Sequence, residues 1–133
     1  MKSILNTFSV FGVSFLLLTS CYNSNRDCAD YKTGTFEFTY IEKGEEKTAT
    51  FVRTEAYSID YIDNKADSSS IRWINDCEFI LKKLHPTSNL EKKPIHMKII
   101  STTNDSYTFE YKYAVDDLNR DNKKMRGVAK KID

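Results

Sequence analysis

Several things that would narrow the chemistry of this sequence are scarce in it. Glycine and proline number only four and two in 133 residues, which excludes a collagen-like or low-complexity chain. After residue 20 the glycines are Gly34, Gly44 and Gly127, each isolated, so no glycine-rich loop is available to cradle a phosphate. Neither sign of charge prevails: 20 basic residues against 19 acidic ones leave a net charge of +1. That balance excludes a general nucleic-acid binder and a polybasic membrane-surface protein. There are two histidines, His85 before a proline and His96 between Ile95 and Met97. Neither lies near a nucleophile in a way that supports a Ser–His–acid triad, so no catalytic residue is assigned and a non-enzyme is expected. No apolar run approaches the roughly 20 residues a membrane-spanning helix needs, and the length suits one domain rather than a multi-domain enzyme.

The longest apolar stretch, Phe8 to Leu18, is informative because it is short. It follows a single charge, Lys2, and runs into Leu18-Thr19-Ser20-Cys21. A charged start, a short apolar core and small residues at a processing site describe a secretory leader over residues 1–20. The four residues Leu18 to Cys21 resemble the bacterial lipobox, whose cysteine is acylated and becomes the new N-terminus. Cys21 is therefore the expected lipidation site, 21–32 a short polar tether, and 33–133 a single β-domain. Each buried methylene of an acyl chain contributes about 0.8 kcal/mol, so several chains hold a protein on a membrane essentially permanently. The expected location is the bacterial cell envelope, anchored through lipid, with the periplasmic and outer faces equally open.

Export bears on the other two cysteines. In an oxidising compartment the even pair Cys28 and Cys77 reads as a disulfide. The competing reading is a zinc site using Cys28, Cys77, His85 and His96, whose spacings match no familiar ligand pattern. Asp117-Leu118-Asn119-Arg120-Asp121 reproduces the first, third and fifth ligand positions of a calcium loop. Asn122 then replaces the usual glycine and Val128 the bidentate glutamate, so the segment reads as a solvated turn. No metal and no cofactor is expected.

What the chain has in quantity is aromatic alternation. Phe36, Phe38 and Tyr40 alternate with Glu37 and Thr39, and Tyr57, Ile59 and Tyr61 with Ser58 and Asp60. Ile95, Met97 and Ile99 repeat the pattern, as do Tyr107, Phe109, Tyr111 and Tyr113. Period two with aromatic and β-branched enrichment is the signal of half-buried strands. Turn clusters separate these runs at 43–46, 63–67 and 104–106, with a longer break from His85 to Pro94. The expected fold is all-β: a single antiparallel meander of seven or eight strands, curled into a barrel of the lipocalin-like kind.

Residues 71–84 fit two descriptions. Trp73, Ile74, Cys77, Ile80, Leu81 and Leu84 fall on one side of a helical wheel, with Ser70 as N-cap. A hairpin instead pairs Ile71 and Trp73 with Cys77, Phe79 and Leu81 across an Asn75-Asp76 turn. The pattern alone leaves both open. The combination of Phe51-Val52-Arg53, the stretch from Ile71 to Leu81 and Tyr107-Thr108-Phe109 resembles small exported lipoproteins of the Bacteroidota type. In those, the Trp-x-x-Asp-Cys-x-aromatic-x-Leu stretch forms a hairpin, so the resemblance implies a hairpin here, and it implies no activity.

Two readings of function follow. Phe38, Tyr40, Phe51, Tyr61, Trp73, Phe109 and Tyr111 share one strand parity in a number high for a small core, and line a candidate pocket for a small apolar ligand or lipid. Arg53 shares the parity of Ala49 and Phe51 and points inward, where it pairs with Glu55 or lies on an aromatic face such as Trp73. On the opposite parity, Ile41, Val52, Ile62, Ile74, Ile80 and Ile100 form a candidate patch for an envelope protein partner. The non-catalytic interaction module is preferred, because small barrels are normally filled by their own side chains. The basic residues Lys123, Lys124, Arg126, Lys130 and Lys131 fit either an anionic partner or a lysine-protected edge strand.

Overall fold

The computed structural model describes residues 26–115 and 123–133. The leader at 1–20, Cys21 and the Asp117 to Asp121 segment lie outside the described residues. A 3-10 turn, η1 (Ala29–Tyr31), precedes eight strands: β1 (Gly34–Glu42), β2 (Glu45–Arg53), β3 (Tyr57–Ile62), β4 (Lys65–Asn75), β5 (Glu78–Lys83), β6 (Ile95–Thr102), β7 (Ser106–Tyr113) and β8 (Met125–Lys131). Each pairs antiparallel with the next, and β8 returns to β1, closing an up-and-down barrel in order of sequence. The expected meander is therefore present with eight strands, and it is closed.

Local chemistry sets the tight ends. Lys43 and Gly44 both have positive φ, as do Asp63 and Asn64. Each pair makes a two-residue hairpin whose left-handed backbone matches the twist of its flanking strands. These turns, with the connection at 84–94, lie at one end of the barrel. The β2–β3, β4–β5 and β6–β7 turns lie at the other. There η1 plugs the end: Tyr31 Oη donates to the Thr103 carbonyl at 2.8 Å, and a Cys28–Cys77 disulfide ties η1 to the β4–β5 turn with a Cα–Cα distance of 5.2 Å. The two cysteines are joined to each other, so neither is a zinc ligand. Cys28, Tyr31, Phe36, Phe51, Ile99, Tyr107 and Ala129 form the buried cluster beneath this plug.

The helix over 71–84 is not formed; these residues make the β4–β5 hairpin. Its turn is set by Asn75, whose side-chain carbonyl accepts from the Cys77 backbone N–H at 2.9 Å. The physical reason is Phe79, 1% exposed and among the largest fully buried side chains. A helix burying Trp73, Ile80 and Leu84 leaves Phe79 on the polar side, whereas the hairpin pairs Trp73 with Phe79 and Ile71 with Leu81, all facing inward. Ile74 is absorbed as the extra residue of a bulge between Trp73 and Asn75 and is 51% exposed. The edge-strand reading of the basic C-terminal segment is also replaced, because β8 pairs on both sides, with β7 and β1.

A second correction concerns β3. The alternation of Tyr57, Ile59 and Tyr61 is present, but with the opposite sign: Tyr57 and Tyr61 are 49% and 45% exposed, while Ser58 is buried. Period two specifies two faces and not which of them is inside. Here the β2 register decides, setting Arg53 opposite Ser58 and Phe51 opposite Asp60.

Candidate ligand-binding cavity

The inward faces of the strands do not fill the barrel. A cavity of about 460 Å³ lies between the plugged core and the opposite end, within the range of about 300–1,000 Å³ usual for small-molecule sites. Its walls are largely apolar: Phe38 and Tyr40 from β1, Phe51 from β2, Leu81 from β5, Ile95 and Met97 from β6, Phe109 and Tyr111 from β7. Gly127 of β8 supplies a bare stretch of wall. A Cβ built there would lie 2.6 Å from Phe109 Cζ, so the ring packs directly on the backbone. An annex of about 170 Å³ shares Asp60, Leu81 and Ile95 with the main space and runs beneath Leu90 to Lys93.

The cavity is open at the end away from η1 and along one side. β1 and β8 are paired only at Phe36–Lys131, Glu37–Lys130 and Phe38–Ala129. Beyond these pairs Thr39 and Ile41 of β1 and Arg126 of β8 have outward parity, yet they line the cavity. The wall is therefore parted at this seam. Ile41, 68% exposed, stands on one lip, and Met125 and Val128 are exposed on the other strand. Glu110 accepts from Arg126 and pairs with Lys124, so this one carboxylate offsets part of the basic charge near the seam.

At the inner end the lining becomes polar. Arg53 closes β2 and is 4% exposed. Its guanidinium donates to the Tyr31 carbonyl at 3.0 Å and to Tyr107 Oη at 2.6 Å. The guanidinium carbon lies 4.7 to 5.5 Å from the ring centroids of Phe36, Phe51, Phe79 and Tyr107. The expected aromatic-face placement is thus present, on these rings rather than on Trp73, which packs on Phe79 with Lys32 over its ring while its indole N–H donates to the Glu55 carbonyl; Glu55 is exposed and not paired with Arg53. Beside Arg53, Ser58 Oγ donates to Asp60 at 3.3 Å. Burial raises the Asp60 carboxyl above its ordinary value, and the Ser58 hydrogen bond and the Arg53 charge only partly oppose this. Burial likewise raises the Tyr107 phenol.

Of the sequence-derived ligand residues, Phe38, Tyr40, Phe51, Arg53, Phe109 and Tyr111 come together in the cavity wall. Tyr61 faces outward for the register reason given above, and Trp73 sits at the plugged end outside the lining. Ser58, Asp60, Leu81 and Met97 belong to the wall as well. Leu81 and Met97 were legible as inward strand positions; nothing in the alternation marked Ser58 and Asp60 as interior.

The six aliphatic residues of the candidate patch lie one on each of β1 to β6 and do not share one face: Ile41 reaches the cavity at the seam, and Ile62 has the inward parity of Ser58 and Asp60. Ile41 pairs with Glu46 and Ile62 with Lys65, while Ile80 lies between Arg72 and His96. Val52 lies between Thr35 and Ile59. Ile74 and Ile100 are both bulge residues, on β4 and β6. His96 points away from the cavity, with Nε2 3.2 Å from Glu78, and His85 is exposed in the β5–β6 connection. No family model matches the chain, and no curated protein matches it.

Proposed function

We propose that this protein is a lipid-anchored, non-catalytic binding protein of the bacterial cell envelope whose barrel holds a small, largely apolar ligand. The observation that carries the reading is the unfilled interior: a cavity of about 460 Å³ walled by Phe38, Tyr40, Phe51, Met97, Phe109 and Tyr111. An interaction module calls for a filled core, and its six candidate aliphatic residues lie one on each of β1 to β6 rather than on one shared face, which further favours the cavity. Placement of both histidines off the cavity supports a binding role rather than a catalytic one. Leu18-Thr19-Ser20-Cys21 supports acylation at Cys21, and the disulfide fits an oxidising compartment outside the cytoplasm.

Two measurements test this. Nile red, a neutral apolar dye, should brighten and shift to the blue with the wild-type protein and fail to do so with Met97→Trp, which fills the cavity. Equal response from both proteins, or none from the wild type, refutes the reading. Trp73 emission should stay constant throughout, because that side chain does not line the cavity. Intact mass of membrane-extracted protein reports acylation at Cys21 and the disulfide together, and an unmodified mass removes the anchor from the proposal.

A further inference from the structure

The apolar walls of the cavity converge on one cation that makes no ion pair among the described residues, Arg53. Arg53, Arg126 and Lys83 stand in the walls of the cavity and its annex. Arg126 is held by Glu110, and Lys83 by Asp67 and Glu91. Arg53 has no ion pair among the described residues, although it is the most deeply buried of the three. A guanidinium carries five N–H donors, and the two neutral acceptors at Tyr31 and Tyr107 take two of them. Nε has no hydrogen-bond partner among the described residues. The aromatic rings around it stabilise the charge through their faces, yet they accept no conventional hydrogen bond in the guanidinium plane. The nearest acid on the cavity wall, Asp60, is engaged by Ser58 rather than by Arg53. A buried cation satisfied by neutral partners alone is costly, and here it lies where the open volume ends.

We propose that the ligand is a single-chain amphiphile with a carboxylate head, the head set against Arg53 and the chain lying between Phe38, Met97 and Phe109 toward the β1–β8 seam. This rests on the cavity reading and adds the charge and polarity of what fills it. The arrangement selects against a cationic head through Arg53, and against a doubly charged head through the nearby Asp60. The parted seam leaves room for a chain longer than the interior to emerge sideways.

The test uses three probes of equal chain length, decanoate, decanol and decyltrimethylammonium, measured by displacement of Nile red from the purified full chain. Decanoate should bind about ten- to a hundredfold tighter than decanol, the ratio expected when a hydrogen bond to a charged group is gained. Decyltrimethylammonium should bind weakest. Arg53→Gln should bring decanoate and decanol to equal affinity. Asp60→Asn, which removes a like charge without touching Arg53, should strengthen decanoate binding severalfold and leave decanol unchanged. The Asp60 variant and the wild-type series decide the matter if Arg53→Gln fails to fold. Equal binding of decanoate and decanol, or tighter binding of the ammonium probe, overturns this inference while leaving a neutral apolar binder in place. Failure of all three probes and of the dye itself removes the cavity reading as well.

Discussion

Reducing the Cys28–Cys77 disulfide should cost the protein a large part of its stability. The bond joins residues 49 apart in sequence, and the chain-entropy relation for a loop of that length gives about 4 kcal/mol at 25 °C. Net stabilities of domains are only about 5–15 kcal/mol, so the loss is a substantial fraction of the whole. With urea slopes of about 1–3 kcal/mol per molar, the unfolding midpoint should fall by roughly 1.3–4 M. Comparing oxidised and reduced wild type is cleaner than substitution, because Cys28 is buried and a serine there would place a hydroxyl in the core. The effect should also be local. η1 supplies the Tyr31 carbonyl to Arg53 and the Tyr31 ring to Tyr107, so amide protection at Tyr31 should fall before that of β1. A reduced protein within about 1 kcal/mol of the oxidised one, the scale of an ordinary point mutation, refutes the reasoning.

Three further outcomes are expected. Tyr107→Phe removes an acceptor from a buried guanidinium and should destabilise by about 1–3 kcal/mol in urea titration; an unchanged midpoint would show that the Arg53 bond is dispensable. Gly127→Ala pushes a methyl group against the Phe109 ring, which can give way only into open cavity. Its stability cost should therefore stay near the bottom of the range of about 1–3 kcal/mol for overpacking, while Nile red binding weakens; unaffected dye binding contradicts this. Glu91 is held down to about 2 by the Thr87 backbone N–H, the Thr87 hydroxyl and Lys83. A carboxyl depressed on folding stabilises above its unfolded value of 4.5 and loses that contribution as pH falls toward about 2. Hydrogen exchange at the Thr87 amide should thus lose protection between pH 5 and pH 2 relative to the β-strands, and constant relative protection would count against the Glu91 clasp.

The strands were legible because their signal is local: Phe36-x-Phe38-x-Tyr40 and Tyr107-x-Phe109-x-Tyr111 carry their period in a few residues, and both face inward. The disulfide was legible from compartment and parity of count. The β3 orientation was not, since Tyr57 and Tyr61 look like core residues until pairing with β2 turns Ser58 and Asp60 inside. The same long-range register hid half of the polar end of the cavity. Arg53 was identified as inward from its own strand, but its acceptors at Tyr31 and Tyr107 lie 22 and 54 residues away. The volume left empty is likewise a sum over all eight strands, and no single stretch of sequence encodes it.

The seam between β1 and β8 also orders events in time. Every other strand pairing joins neighbours in sequence and forms through a local hairpin or a short connection, whereas closure brings Phe36–Phe38 to Ala129–Lys131. Contacts between such distant segments raise contact order and slow folding. A chain emerging from its N-terminus can build β1 to β7 and join Cys28 to Cys77 while β8 is still absent. Until the last strand arrives, β1 and β7 present unpaired edges, and Phe36 and Tyr107 lack their lid of Ala129. β8 thus converts an aggregation-prone sheet into a barrel, and its removal should act on folding yield before it acts on binding.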